Sequence, residues 1–331
     1  QTTSIVWAWL IFLAFVLAML ALDLGVFHRH SHVVGFKEAM GWSAMWITLG
    51  VSFAVLVYYA YEQHWFRLGL AVDAVDGIPN NGRLAATKYL TAYVVEKSLS
   101  VDNIFVIATI FGAFAVPRHL QHRVLFWGIL GVIVLRAIMI GFGAALVQRY
   151  EWVLLVFAAF LILTGARMLL SGDDHESGVA DNPLLRWLRR NLRVTQDFAG
   201  HRFLVRQPDD SGRMRLFVTP LFLALVAIEF ADVVFAVDSV PAIFAITTDP
   251  YLVYTSNIFA ILGLRALYFA LAAVLHRFSG LKPALAVLLI FIGGKVVVAE
   301  MLGIEKVPAA LSLGVTFAIL AAGVAWSLLR S

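Results

Sequence analysis

Long apolar runs separated by short polar connections dominate this chain. Each run of roughly 18–25 residues is long enough to cross a bilayer as an α-helix. The runs do not alternate polar and apolar positions, which disfavours a β-barrel. We therefore expect an all-α polytopic membrane protein. The predicted spans are 5–27, 39–61, 87–114, 122–148, 151–170, 217–246, 252–275, 281–302 and 308–329.

Composition supports this class of protein. Of the 331 residues, 61% are hydrophobic and 14% charged, whereas soluble domains average about 45–50% and 25%. The absence of cysteine excludes disulfides, thiolate metal sites and thiol redox chemistry. The net charge of +4 lies mostly in the connections between spans, so we interpret it as a sign of how the spans are oriented in the membrane and not of nucleic-acid binding. The first run lacks a basic n-region, and we interpret it as a span and not a signal peptide.

Lysine and arginine positions orient the spans, because cytoplasmic connections carry an excess of both. An outside amino terminus and a cytoplasmic carboxyl terminus place the most basic connection in the cytoplasm. Its arginines are Arg186, Arg189, Arg190, Arg193, Arg202, Arg206, Arg213 and Arg215. The outer connections then hold only Arg67, Arg83, Lys88, Arg149 and Lys306.

That basic connection, 171–215, is the one sizeable soluble segment, and it separates membrane regions 1–170 and 216–331. Leucines at helical spacing beside arginines in 184–192 predict an amphipathic helix on anionic lipid headgroups. Apolar stretches on either side of Pro208–Gly212 predict a β-hairpin. The alternatives are a plain charged tether or a docking site for protein partners.

Two of the apolar spans carry clusters of carboxylates. A charged side chain at membrane depth costs at least about 2.5–3.5 kcal/mol, and such residues usually mark ion paths. The sequence therefore predicts a metal site between these two spans. The candidate ligands are Glu96, Asp102, Asn103, Glu229, Asp232, Asp238 and Ser239. The alternative is a buried ion-pair network with the cations Lys97, Arg136, Arg167, Arg265 and Lys295.

The two clusters belong to an internal repeat. Aligning Asp102 with Asp238 also aligns Glu96 with Asp232, six residues earlier in each copy. Related segments follow in both copies, so spans three to five repeat as spans six to eight. Because three is odd, the second copy is inverted relative to the first. Inverted repeats are typical of secondary transporters, whose sites lie where the copies meet.

The ligand chemistry is entirely oxygen, which suits Mg²⁺, Ca²⁺ and Mn²⁺ and not soft metals. Pro241 removes a helical hydrogen bond after Asp238, which favours a kink or break there. The same carboxylates could carry protons in exchange for metal. Two further candidates are Asp23, a ligand or an interfacial cap, and the alternating histidines of 28–32. We find no nucleotide-binding or nucleophile motif, so we expect no enzyme and no prosthetic group.

Long motifs across nearly the whole chain closely resemble the TerC family of membrane proteins. They are Leu22–Arg29, Glu96–Phe105, Gln121–Gly131, Glu229–Ser239 and Ser256–Phe269. The resemblance implies a LysE-like transporter of the bacterial inner membrane, in a family named for tellurium resistance and associated with manganese export. It also implies that the family's intramembrane acids are Glu96, Asp102, Glu229, Asp232 and Asp238.

The expected function is export of a divalent cation, most specifically Mn²⁺, through an intramembrane carboxylate site. One alternative is a membrane interaction protein linked to tellurite resistance or to metal delivery. Another is a Ca²⁺ exchanger with the same fold, because oxygen ligands alone do not separate Mn²⁺ from Ca²⁺.

Overall fold

The computed structural model describes residues 3–25, 35–150, 152–170, 187–188, 190–208, 212–271, 281–302 and 308–330. The helices are α1 (Thr3–Gly25), α2 (Phe36–Glu62), α3 (Gly82–Ala113), α4 (Arg118–Arg149), α5 (Trp152–Leu170), α6 (Pro220–Phe244), α7 (Pro250–Ile261), α8 (Leu264–Leu271), α9 (Leu281–Leu302) and α10 (Ala309–Arg330). A 3₁₀ turn spans Trp65–Arg67. The strands are β1 (Val72–Asp73), β2 (Ile78–Pro79), β3 (Leu204–Pro208) and β4 (Met214–Val218).

Seven helical segments of the described chain are long and apolar enough to cross a membrane. They are α1, α2, α4, α5, α6, the combined α7–α8 segment and α10. Helix α9 has a shorter apolar stretch, Pro283–Ala299, and α3 carries several charged residues. The all-α polytopic membrane fold is therefore confirmed, while the count of nine spans stays a prediction.

The helices of the two predicted repeat copies interleave. Helix α3 packs on α7, α4 packs on α6, and α3 and α6 contact each other near the centre. Helices α5 and α9 form the most extensive pair. In the predicted repeat, α3 corresponds to α6, α4 to α7–α8 and α5 to α9. If each helix is replaced by its counterpart, the same pairs of helices named above are in contact. The packing places the two acidic helices side by side, and the inverted repeat stays a prediction.

The described chain has a helix break between α7 and α8, at Gly263. This glycine has φ +80°, and a Cβ there would lie 2.5 Å from the Cβ of Trp46. The break leaves carbonyl groups of α7 without helical partners. Lys97 of α3 donates to one of them, Ala260 O at 3.1 Å, and to Leu262 O, just after the helix, at 3.4 Å. The sequence predicted an interruption elsewhere, at Pro241, but α6 continues through that proline to Phe244.

Of the two elements predicted in the soluble segment, the β-hairpin can be located. Strands β3 and β4 pair antiparallel, with Val205 opposite Phe217, and the turn residues 209–211 lie outside the described chain. Phe198 and Phe203 pack against the apolar cluster formed by α3, α4 and α6. The predicted amphipathic helix, 184–192, is mostly outside the described residues, although Leu188 packs on the same cluster.

Replacing Gly263 with alanine should destabilise the protein, because the left-handed conformation costs an L-residue about 1–2 kcal/mol and the new methyl group would overlap Trp46. We expect a lower melting temperature (Tm) of the purified protein in detergent. Gly294→Ala in α9 is the matched control, since a Cβ there meets nothing within 4 Å. Equal Tm values for the two variants would contradict this account of the break.

Candidate functional site

Arg136 of α4 joins the acidic helices of both repeat copies. Its side chain is 1% exposed, and it forms an ion pair with Glu96 of α3. It also binds Asp232 of α6 in bidentate fashion, through Nε to Oδ2 at 3.2 Å and Nη2 to Oδ1 at 2.9 Å. Nη1 further donates to Ser239 Oγ at 3.0 Å. One guanidinium thus brings together three of the seven predicted ligands.

The cluster contains more acceptor oxygens than Arg136 satisfies. Glu96 is fully buried, and its Oε2 has no hydrogen-bond partner among the described residues. Glu229 lies one turn before Asp232, on α6, and its carboxylate packs against Gly131 of α4 so closely that a Cβ there would overlap it. Its Oε2 is also buried without a partner in the described part of the chain. The described residues thus leave two buried carboxylate oxygens without a hydrogen-bond donor.

The other predicted ligands occupy the same two helices. Asn103 of α3 is buried, with 6% of its surface exposed. Asp102 lies on α3 and Asp238 on α6, but their side chains are outside the described residues. The same holds for the side chain of Asp23 and for residues 28–32. Among the side chains that are described, no group of three histidines or acids is arranged to hold a metal. The seven-residue site stays a prediction.

The remaining intramembrane cations have other contacts. Lys97 binds the carbonyl groups at the α7–α8 break. Lys295 of α9 donates to Ser312 Oγ at 3.2 Å. Arg265 of α8 is buried and lies 3.2 Å from His122 Nε2, and Arg167 is exposed. The ion-pair alternative therefore applies to Glu96 and Asp232, through Arg136, but these contacts do not extend it to Glu229.

A second buried charge network lies at the other end of α3, and sequence reasoning missed it. Lys88 was assigned to an outer connection, yet it is 1% exposed. Its Nζ lies 2.8 Å from Asp73 Oδ2, 2.5 Å from Asp76 Oδ2 and 2.8 Å from Asn80 Oδ1. We call Lys88, Asp73, Asp76 and Asn80 the Lys88 cage. The two aspartates, three residues apart in the α2–α3 connection, were its only signal in the sequence.

Asp73 extends the cage to the α6–α7 connection. It accepts hydrogen bonds from Thr247 Oγ1 at 2.5 Å, and from Thr248 N and Thr248 Oγ1 at 3.0 Å each. Burial raises the pKa of Asp73, but the positive charge of Lys88 and these hydrogen bonds outweigh it and lower the pKa to about 2. Asp73 is therefore ionised throughout the physiological pH range.

Arg136→Met should destabilise the protein by several kcal/mol, about 3–5 on the scale of broken buried pairs. The reason is that Glu96 and Asp232 would lose their counter-charge. A matched triple variant, Arg136→Met with Glu96→Gln and Asp232→Asn, removes the uncompensated charge and should recover part of the loss. Tm in detergent measures both. Equal Tm values for wild type and Arg136→Met would show that the ion pairs do not hold the helices together.

The stabilisation by Asp73 should depend on pH. The pKa of Asp73 in the folded protein, about 2, lies below the ordinary value of 3.8. The ionised carboxylate therefore stabilises the fold fully above pH ~4 and progressively less as the pH falls toward 2. The stabilisation lost over this range is roughly 2 kcal/mol. The Tm difference between wild type and Asp73→Asn should be constant from pH 8 to 5 and shrink below pH ~4. Asp197→Asn, at an exposed carboxylate, should show no such difference. A Tm difference between wild type and Asp73→Asn that stays constant down to pH 2.5 would contradict the lowered pKa of Asp73.

Comparison with known proteins agrees with this architecture. A model of the TerC family of integral membrane proteins matches residues 82–331. An "uncharacterized membrane protein STKORF319" of Myxococcus xanthus is 46% identical over 98% of this chain and 92% of its own length. No solved structure matches.

Two further relatives share the name "putative membrane-bound redox modulator Alx". The Escherichia coli K12 protein is 47% identical and the Salmonella typhi protein 46% identical. Each alignment covers 93% of this chain and 90% of the relative. The chain belongs to the TerC family of integral membrane proteins.

Proposed function

We propose that this protein is a secondary transporter of the bacterial inner membrane that exports a divalent cation, most specifically Mn²⁺, from the cytoplasm. The observation that carries the proposal is the convergence of acids from α3 and α6 on Arg136, with carboxylate oxygens left over. Both Glu96 and Asp232 lie near the middle of their helices. Charged groups at such depth are expensive, and they usually mark an ion path.

The proposed cation site combines both acidic helices. Asp102 and Asp238 provide its carboxylates, with Glu229 and the amide oxygen of Asn103 beside them. Glu96, Asp232 and Ser239 join as ligands when the cation displaces Arg136. Oxygen ligands of this kind suit Mn²⁺ and other hard cations. The same acids can take up protons after the metal leaves, which gives metal/proton exchange.

Arg136 has a distinct role in this proposal, as a built-in counter-ion. A divalent cation carries twice its charge, so it competes effectively for Glu96 and Asp232 when it enters. When the cation leaves, Arg136 pairs with both carboxylates again, and uptake of one proton by the cluster balances the negative charge that Arg136 leaves uncompensated. The empty carrier can then reorient without exposing unpaired acids to the low-dielectric interior.

Two alternative functions would depend on different residues. A redox role of the kind named for the Alx relatives would have to proceed without thiols here, because the chain has no cysteine. An interaction protein that acts through the 171–215 segment would not need the intramembrane acids. Deleting 175–212 does not isolate that role, because Phe198 and Phe203 would leave the apolar cluster against which they pack.

Asp102→Asn and Asp238→Asn should each lower Mn²⁺ transport by at least about tenfold, because the loss of one charged ligand is expected to cost 1.4 kcal/mol or more. The assay uses proteoliposomes containing a fluorescent metal indicator. Asp197→Asn, at an exposed carboxylate outside the helices, is the matched control and should transport at the wild-type rate.

Further arms of the assay separate the alternatives. Ca²⁺, Mg²⁺ and Zn²⁺ replace Mn²⁺ to identify the cargo, and an imposed pH gradient tests exchange with protons. Wild-type Mn²⁺ transport by both Asp variants would refute the carboxylate site. Absence of transport of any of these cations by the wild-type protein would favour the interaction role.

A further inference from the structure

The Lys88 cage connects three separate parts of the chain at one end of the molecule. Lys88 belongs to the first turns of α3, and Asp73, Asp76 and Asn80 belong to the α2–α3 connection. Through Asp73 the cage reaches Thr247 and Thr248, between α6 and α7. Both connections lie on the predicted outer side of the membrane. The cage thus ties the outer ends of the two acidic helices together.

Additional contacts close this end of the molecule. The backbone N–H of Ala74 donates to Thr248 Oγ1 at 2.9 Å, and Asn80 Nδ2 donates to Asp249 Oδ2 at 3.5 Å. Lys88, Asp73 and Asn80 are 1–2% exposed. Polar side chains that are themselves shielded from water therefore fill this end of the space beside α3.

The closure lies above the candidate ion site. Lys88 precedes Glu96 by eight residues, which corresponds to about 12 Å along a helix. Thr247 follows Ser239 by the same number of residues in the other copy. A cation that leaves the space between α3 and α6 toward the predicted outer side moves from the level of Glu96 and Ser239 to the level of Lys88 and Thr247.

The chemistry of the closure distinguishes it from ordinary packing. An apolar seal exposes hydrophobic surface to water whenever it opens. Charged and hydroxyl groups, in contrast, exchange their mutual hydrogen bonds for hydrogen bonds to water when they separate. A polar closure can therefore open and close repeatedly, as an alternating-access transporter requires.

We propose that the contact between the Lys88 cage and Thr247–Thr248 is the outer gate of the transport path. The inference rests on the proposed transport function and adds the residues that control cation exit. The structure described here has this gate closed. In the cation-releasing state, Asp73 separates from Thr247 and Thr248, and water enters between α3 and the α6–α7 connection.

A reversible cross-link tests the gate during transport, and the absence of native cysteine makes the engineered pair unique. Ala74→Cys with Thr248→Cys places two thiols across the closure. Oxidation with diamide should reduce Mn²⁺ transport in proteoliposomes at least tenfold, and reduction should restore it. The control pair, Arg206→Cys with Leu216→Cys, spans opposed positions of β3 and β4, and its oxidation should leave transport unchanged.

A labelling experiment tests the gate without requiring transport. Ala92 is fully buried one turn below Lys88 and packs in an apolar cluster with Phe244. A cysteine at this position should react slowly with a membrane-impermeant thiol reagent added outside. Lys88→Ala should increase the rate at least tenfold. Thr247→Val, which removes one hydrogen bond to Asp73 and no charge, is the milder second variant and should increase it several-fold.

The two experiments separate failure of the gate from failure of the transport function. Wild-type proteoliposomes that move no cation would overturn the transport function, and the labelling rates would still decide whether this end opens. Full transport by the oxidised Ala74–Thr248 cysteine pair would overturn the gate. Unchanged labelling of the Ala92 position in both gate variants would overturn it as well.

Discussion

The ion pairs of Arg136 are the interaction on which the membrane core depends. A guanidinium away from water must satisfy its donors within the protein, and Arg136 does so with oxygens from α3 and α6. Because the requirement is directional, it fixes how α3, α4 and α6 lie against one another more strictly than apolar packing alone would. The same requirement places acids from both predicted repeat copies at one point.

Much of this fold follows from the sequence, for reasons of length and polarity. Apolar runs long enough to cross a bilayer give the helices, and the aligned acids correctly identify α3 and α6 as neighbours. From the sequence, the cation that pairs with Glu96 and Asp232 could be narrowed only to the five intramembrane cations named above. Nothing in the spacing shows that Arg136, and not Arg167, reaches both. That choice is made by the packing of α4 on α6, which brings Arg136 within reach of both acidic helices.

Features that depend on tertiary contacts were harder to predict. Lys88 and Asp73 are separated from Thr247 by more than 150 residues, so no local pattern connects them. The helix break was expected at Pro241, where a hydrogen bond is lost, but it occurs at Gly263. A proline costs one bond within a helix, whereas Gly263 adopts a backbone conformation that only glycine enters freely and that Trp46 packs against. The side-chain packing around Gly263 therefore decides the position of the break.

The adjacent residues Glu96 and Lys97 restrict how α3 can move. They point about 100° apart around the helix axis, one to Arg136 and the other to the carbonyl groups of Ala260 and Leu262. A twist of α3 about its own axis would break both attachments at once. Rotation of α3 is thus opposed at two points of its circumference, and a movement of α3 would carry the carboxyl end of α7 with it, because Lys97 is bound to the carbonyl groups there.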